Sequence, residues 1–351
     1  MKKASAQPGG TPTVNDIARV AGVSLATVDR VLNKRTGVRA VTMDKVNRAI
    51  EQIGYVRDTA AANLARKRVY NLLFILPAST NEFVAALEDE IEMQSAKLTH
   101  QRTNLRRVNV TPFDPQAIVE QLDELTREDT DGVAVFGPET PSVRDAVKRT
   151  RAKGIAVVAL VSDLPSSERT HYIGIDNVAA GCTAGKLMGR FVRGDGRILV
   201  ITGSRLARDH LERRQGFDLV MASEFPNLDV VATIEGRDDA ELIQDLLPDV
   251  FASYPDLLGI YSSAAGNPGL IRFLEDQMIR KELVVIAHEL TPASKHALRS
   301  GIFDALISQD IGHLVRSATR LLKATADKAP FDPTQERIRI DIYLQENLPP
   351  D

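Results

Sequence analysis

The chain has 351 residues, 43% of them hydrophobic, a formal net charge of -3 and one cysteine. This length is a prior for two or three domains, and the apolar content supports a sizeable buried core. Cys182 alone excludes an intramolecular disulfide and fits a reducing compartment, while no apolar run approaches the roughly 20 residues of a membrane span.

Residues 1–10 read as a disordered tail. Lys2 and Lys3 are followed by Pro, Gly and Thr with no apolar signal-peptide core, so the expected location is cytoplasmic, near the nucleoid. Residues 1–68 hold thirteen Lys and Arg against five Asp and Glu, a surplus of eight positive charges that leaves a surplus of eleven negative charges on the rest. A basic head on an acidic body concentrates attraction to phosphate at one end.

Within residues 11–57, the stretch from Val14 to Asn33 predicts two short helices around an Ala21-Gly22-Val23 turn. Val14, Ile17, Ala18, Val20, Val23, Val28, Val31 and Leu32 fall near helical spacing and close one small core. Ser24, Thr27, Arg30 and Asn33 fall mostly on the other face of the second helix. That is a helix-turn-helix layout, whose second helix can lie in a DNA major groove. A third helix is predicted over 42–54, carried by Met43, Val46, Ala49, Ile50 and Ile53 and ended by Gly54. The segment 58–69 is Ala-rich and favours helix. It is too short to be stable alone in water and is expected to order with a partner.

From Tyr70 apolar runs alternate with amphipathic stretches. Strands are predicted at 72–76, 105–110, 132–136, 155–161, 172–175, 198–201, 230–234, 257–261, 283–287 and 305–307. Helices are predicted at 82–98, 115–125, 178–191, 211–224, 239–251 and 269–277. This alternation predicts parallel sheets covered by helices on both faces. About ten strands exceed one comfortable open sheet, so residues 70–351 are read as two α/β lobes. A cleft between them would collect the carboxyl ends of strands.

The pattern V-x-D-[IV]-A-x-x-A-G-V-S-x-x-T-V-x-R-V-L-N, followed by a third helix, Gly54-Tyr55 and a short Leu-bearing helix, resembles the lac-repressor (LacI) family of bacterial transcriptional regulators. The resemblance is specific from Val14 to about Leu64. The body, with Thr80-Asn81-Glu82-Phe83, Ile175-Asp176-Asn177, Ala180-Gly181, Arg213-Arg214-Gln215-Gly216-Phe217 and Ile307-Ser308-Gln309-Asp310, resembles that family's effector core and the periplasmic sugar-binding proteins. The implied fold is a small all-α headpiece plus a two-lobed periplasmic-binding-protein-like α/β domain. The implied partners are a palindromic operator, a small carbohydrate-like effector and a second copy of the chain. The residues after Leu344, Gln-Glu-Asn-Leu-Pro-Pro-Asp, show no apolar heptad pattern, so a dimer without a lac-repressor-style tetramerisation helix is the expectation.

The resemblance implies that Leu25 and Ala26 meet base edges. Both are apolar and suit a thymine methyl or simple exclusion, which leaves Arg30 as the direct reader, bidentate to guanine. Ser24, Thr27 and Asn33 would position on phosphate. Asp29 departs from the family's small polar residue and is expected to pair with Arg30 or a neighbouring Arg, or to face a cytosine amine. Leu64 matches the leucine wedged into the central minor-groove step, while Arg57 and Ala62 replace the hinge Pro and Arg, with Arg66, Lys67 and Arg68 nearby.

In the cleft, the resemblance implies ligand contacts from Asn81, Phe83, Asp163, Arg213, Asn267, His288, Glu289 and Gln309. Ser262–Asn267 replaces the family's usual Asn-Asp pair, and His288 stands where an acid is usual. An acidic sugar, or Glu289 serving as that carboxylate, would each account for the change. His288 also reads as a hydrogen-bonded core histidine, and Cys182 as a small buried thiol. The histidines show no metal-ligand spacing, so no metal and no cofactor are expected.

Catalysis is disfavoured: neither G-x-G-x-x-G after the first strand nor G-x-x-x-x-G-K-[ST] occurs, and no Ser-His-acid set stands out. A transport solute receptor would need a signal peptide and no helix-turn-helix. A constitutive DNA binder with a non-functional cleft is the remaining alternative.

Overall fold

The computed structural model describes residues 12–33, 35–55, 68–278 and 283–350. The 1–10 tail, Leu64, Arg57, Ala62, Arg66 and Lys67 lie outside these residues. The chain divides into two compact units, residues 1–68 and 69–351.

In the first unit, α1 (Val14–Ala21), α2 (Leu25–Leu32) and α3 (Ala40–Ile53) surround Ile17, Val28, Val46 and Ala49, all nearly inaccessible. Thr13 starts α1, donating its backbone N–H and its hydroxyl to Asp16 Oδ2 at 3.0 and 2.8 Å. Gly22 stops it at φ 62°, a left-handed turn that costs glycine little. Ser24 then caps α2, its Oγ accepting from the Thr27 backbone N–H at 3.2 Å. Four buried apolar residues make a thin core, so the caps and the Gly22 turn carry a large share of the specification.

The second unit contains two sheets. In the first, β1 (Tyr70–Pro77), β2 (Thr103–Val110), β3 (Gly132–Val135), β4 (Ala156–Leu160) and β5 (His171–Ile173) lie in the order β2-β1-β3-β4-β5, all parallel. In the second, β6 (Gly196–Thr202), β7 (Leu228–Glu235), β8 (Leu257–Ser262), β9 (Val284–His288), β10 (Ala305–Ser308) and β11 (Asp341–Tyr343) lie in the order β11-β10-β9-β8-β6-β7. Only β11 is antiparallel, paired to β10. It was not among the expected strands: Asp341-Ile342-Tyr343 is three residues long with no buried position, so its pattern is too short to read.

The connecting helices are α4 (Glu82–Leu98), α5 (Pro115–Glu124), α6 (Pro141–Ala152), α7 (Asn177–Phe191), α8 (Arg208–Glu224), α9 (Ala240–Ser253), α10 (Asn267–Asp276), α11 (Pro292–Arg299) and α12 (Ile311–Asp327). Helices α6, α11 and α12 were not individually expected. Asn81, Asp114, Thr140, Asp176, Asp239, Thr291 and Asp310 each cap one of these helices through a side-chain oxygen. Alternate strands and helices thus follow from an apolar run, a capping residue at its end and an amphipathic stretch after it.

The chain passes between the lobes after β5, after β10 and before β11. On the second passage α12 returns to the first sheet and buries Leu314, Val315, Ala318, Leu321 and Leu322 in a cluster shared with Leu72, Phe74 and Val158. Because the strands run parallel, Pro77, Val110, Val135, Leu160, Thr202, Glu235, Ser262, His288 and Ser308 all end toward one cleft. Among the described residues no helix is long and apolar enough to cross a membrane.

Candidate functional site

On the first unit, Leu25, Ala26, Asp29, Arg30 and Asn33 share an arc of about 140° at about 100° per residue of helix, opposite the buried Val28. Ser24, Leu25, Ala26 and Arg30 are exposed, and Thr27 and Asn33 are partly so. Thr27 is drawn into the cap, its hydroxyl 2.9 Å from Ser24 Oγ. Asp29 does not pair with Arg30. It accepts from Asn33 Nδ2 at 2.6 Å and from Arg35 at 3.3 Å, because a carboxylate reaches the next turn of its own helix and the chain just beyond it. Arg30 has no side-chain partner among the described residues, so α2 presents one unengaged guanidinium.

In the second unit the cleft encloses an empty volume of about 840 Å³, its open mouth included. Its centre is Arg213, buried on α8. The guanidinium donates from Nε to Asn177 Oδ1 at 2.9 Å, from one terminal nitrogen to the Ser263 carbonyl at 3.0 Å and from the other to Glu289 Oε1 at 3.1 Å. Gln309 Nε2 donates to the same Glu289 oxygen at 3.0 Å. Asn177 continues the network by donating to the Tyr172 hydroxyl at 3.1 Å.

The packing of α7 on α8 aims this arginine. A Cβ at Gly181 would fall 1.9 Å from the Arg213 carbonyl oxygen, and one at Gly216 would fall 2.0 Å from the Val178 carbonyl oxygen. These two glycines let the helix backbones touch, so the motifs that hold them are packing surfaces as much as ligand motifs. Cys182 lies on the same interface, half-buried, with its thiol pushed up by that burial and by the charge of Asp176.

Two walls face the cleft and differ in kind. Pro77, Val84, Pro112, Phe113, Ile118 and Phe136 belong to the first lobe, with Phe83 and Phe136 edge to face at 6.5 Å and 85°. Asp209, His210, Arg213, Arg237, Asp238 and Glu289 come from the second. The Ser204 backbone N–H donates to His210 Nδ1 at 3.1 Å, which leaves Nε2 as the ring's donor, 3.6 Å from Asp209 Oδ2. Burial pushes the carboxyls of Asp238 and Glu289 up, against the opposing pull of His210 on the first and Arg213 on the second. The nearby charge of Asp209 raises both further. Phe113, Val161, Arg237, Asp238 and Glu289 all adopt left-handed φ of 49 to 70°. Such backbone is rare for residues with a Cβ, and its concentration on one cleft marks a site held by its surroundings.

Glu289 is therefore the carboxylate that meets Arg213. His288 is fully buried behind it, its Nε2 2.9 Å from the Tyr261 hydroxyl, which itself stacks on Phe217. Burial, followed by the charge of Arg213, holds this imidazole well below its ordinary pKa and hence neutral. Asn267 Nδ2 donates to the His288 carbonyl at 3.0 Å and to Ser294 Oγ at 3.3 Å, while its Oδ1 accepts from Ser262. Asn267 and His288 border a smaller adjoining cavity that shares Asn81, Phe83, Asp238 and Glu289 with the main one. Asn81 lines both, although its Oδ1 is engaged at 2.8 Å as the cap of α4.

Asp163 is not brought into the main cleft. It is paired through both oxygens to Arg169 and borders a separate open groove. Asp209, His210 and Asp238 were missed. Asp209 stands one helical turn before Arg213, on the same face, and Asp238 follows the carboxyl end of β7; those positions were the available signals.

Among the described residues, three polar contacts cross the cleft. The Ala293 backbone N–H, at the start of α11, donates to Glu82 Oε2 at 3.2 Å. Arg208 lies 3.7 Å from Glu139, and the Asp209 backbone N–H is 3.4 Å from Ser162 Oγ.

Two lobes on parallel sheets, three interlobe passages and a polar hub at the strand ends define a two-lobed binding protein of the periplasmic-binding-protein class, carrying a helix-turn-helix unit. A periplasmic binding protein domain model matches residues 72–330, and the model for bacterial regulatory proteins of the lacI family matches residues 13–58. The chain belongs to the lacI family of bacterial transcriptional regulators, with the periplasmic binding protein domain as its body.

It is 24% identical over 276 residues to the HTH-type transcriptional regulator DegA of Bacillus subtilis, covering 76% of this chain and 80% of that one. It is 28% identical over 141 residues to catabolite control protein A of Staphylococcus xylosus, covering 40% of this chain and 42% of that protein. The solute-binding protein of an ABC transporter from Burkholderia graminis, solved in complex with D-arabinose, superposes with a TM-score of 0.70 at 23% identity, over 79% of this chain and 96% of that one.

Proposed function

We propose that this regulator binds a palindromic operator as a homodimer and that a sugar-like effector in the cleft sets its operator affinity. Arg30 reads a base edge, Leu25 and Ala26 exclude or contact neighbouring bases, and Ser24, Thr27 and Asn33 hold the helix on the backbone, with Leu64 as the minor-groove wedge. The effector is held by Arg213, Glu289 and Gln309, and positioned by Asn81 and Phe83. Asn267 and His288 support Glu289 from behind. Asp163 contributes to the lobe surface and not to the main cleft. The reading includes no catalytic step; the curated relatives named above are a transcriptional regulator and a control protein.

One observation carries the reading: the buried Arg213 gathers Asn177, Ser263, Glu289 and, through Glu289, Gln309, each at or beside the end of a different strand or passage. A ligand that pairs with this hub and lies on the opposite aromatic wall touches both lobes. It therefore favours the state in which Glu82, Glu139 and Ser162 meet their partners across the cleft. Operator affinity then changes by the ligand's differential affinity for the two lobe arrangements. The D-arabinose complex of the Burkholderia graminis protein supports a carbohydrate as the class of ligand.

The test combines calorimetry of the full chain against a sugar and polyol library with operator binding followed by fluorescence anisotropy, with and without each hit. A bound sugar that shifts operator affinity by about fivefold or more supports the reading. Intact operator binding with no response to any member would favour a constitutive regulator.

A further inference from the structure

The polar wall of the cleft carries three carboxyl groups against one buried guanidinium. Asp209, Asp238 and Glu289 stand together on it, near enough that the charge of Asp209 bears on both of the others. The buried cation there is Arg213, three of whose five N–H groups already serve Asn177, Ser263 and Glu289. His210 accepts the Ser204 N–H at Nδ1 and turns Nε2 toward Asp209, and Arg237 is exposed.

Three buried acceptor atoms also stand without a donor. Asp209 is 3% exposed and Glu289 is 7% exposed, yet Asp209 Oδ1 and Glu289 Oε2 have no hydrogen-bond partner. Gln309 Oε1, beside Glu289, is a third such acceptor. A buried carboxylate oxygen without a donor is costly, because the water it lost is not replaced. Hydroxyl groups would supply donors but no countercharge. A carboxylate or phosphate on the ligand would add to the surplus. A protonated amine supplies up to three N–H donors and one positive charge on a single atom. The facing wall of Phe83, Phe113, Phe136 and Ile118 suits the carbon face of a ring.

We propose that the effector is an aminated polyol, a sugar-like compound whose ammonium group seats between Asp209 and Glu289 while its carbon skeleton lies on the phenylalanine wall. This rests on the effector-cleft reading above and narrows it. It also removes the acidic sugar that the His288 substitution suggested, because His288 is neutral and sealed against Tyr261, and Glu289 supplies the carboxylate in its place.

The experiment is calorimetry on the full chain with matched triplets: D-glucosamine, D-glucose and D-glucuronate, then D-galactosamine, D-galactose and D-galacturonate, with benzylamine as an amine lacking hydroxyls. At least one triplet is expected to show the amine binding about tenfold or more tightly than the neutral sugar, with the acid weakest. Asp209→Asn should reduce that preference to about twofold, and Glu289→Gln serves as the second variant where Asp209→Asn does not fold. A neutral or acidic member that binds as tightly as its amine overturns the proposal and leaves a sugar effector standing. So does a preference for amines that both variants retain. Binding of benzylamine without any sugar, lost in Asp209→Asn, keeps the cation seat and overturns the carbohydrate reading. Failure of every amine to bind at millimolar concentration overturns the proposal.

Discussion

Arg213 and Glu289 are 76 positions apart in the chain, and their side chains meet at 3.1 Å in the interior of the second unit. Burial lowers the stability of each charge, and each is the other's compensation. Arg213→Met leaves Glu289 buried and unpaired and should cost about 3–5 kcal/mol. The loss should be smaller in mild acid, where Glu289 becomes protonated. Arg213→Met/Glu289→Gln should recover most of the stability while effector binding stays lost. Chemical denaturation of the three variants against pH checks both statements. Recovery of effector binding in the double variant would show that the pair is structural only.

Gly216→Ala places a methyl group against the backbone of α7, 2.0 Å from the Val178 carbonyl oxygen, where no side chain can yield. The helices must separate, at a cost of about 1–3 kcal/mol or more. Separation also moves Arg213, three residues earlier on α8. Thermal denaturation should show the loss of stability, and titration with any effector should show a larger loss than stability alone explains. Unchanged affinity would mean that the close helix contact does not aim the arginine.

Asp238 lies on the cleft with a carboxyl pushed up by burial and by the charge of Asp209, against the pull of His210. Its folded-state pKa stands above the unfolded one, so in the window above the ordinary aspartate value of about 3.9 the folded state binds more protons. The stability it contributes is full below that value and is lost as pH rises through the raised one. Asp238→Asn should therefore stabilise the protein at neutral pH and flatten this part of the pH dependence. Asparagine also tolerates the left-handed φ of 60° at this position. Melting temperatures between about pH 4 and 8 check the sign. A destabilised variant at pH 7 would mean that the ionised carboxylate is supported by more than the Ala265 N–H, which it accepts at 3.1 Å. Effector affinity should fall in the same variant, as expected where stability and function pull apart.

Arg30→Ala should lower the affinity for the best operator by about 1–3 kcal/mol while leaving random DNA nearly unaffected, because a bidentate contact to guanine carries discrimination. Anisotropy titrations at several salt concentrations separate the outcomes. An equal loss on all sequences, with a salt slope reduced by about one, would make Arg30 a phosphate contact. Asp29→Asn should strengthen binding to any DNA, since it removes a negative charge from the exposed arc and frees Arg35.

The sequence by itself determined what depends on neighbours along the chain. The three headpiece helices were legible because Val14, Ile17 and Ala18, then Val28, Val31 and Leu32, then Met43, Val46, Ala49, Ile50 and Ile53 fall near helical spacing, with Gly22 in the first turn and Gly54 at the last end. The α/β alternation was legible because each strand is a short apolar run, and the motifs around Arg213 and Gln309 marked strand and helix ends. Asp29 was read as a partner for Arg30 or a neighbouring Arg, or as facing a cytosine amine; it reaches Arg35, because spacing alone does not say which neighbour a carboxylate meets.

Only the tertiary structure decided which polar residues share a space. Glu289 faces Arg213 while His288 turns inward onto Tyr261, and Glu289 takes left-handed backbone just past the end of β9. Asp163 looked like a cleft residue from its place after β4, but Arg169, six positions away, captures it. The acidic charge of the cleft comes from Asp209 at the start of α8 and from Asp238 and Glu289 on the connections after β7 and β9. No local pattern can sum such charges: electrostatic fields act through space, and the sequence records only order along the chain.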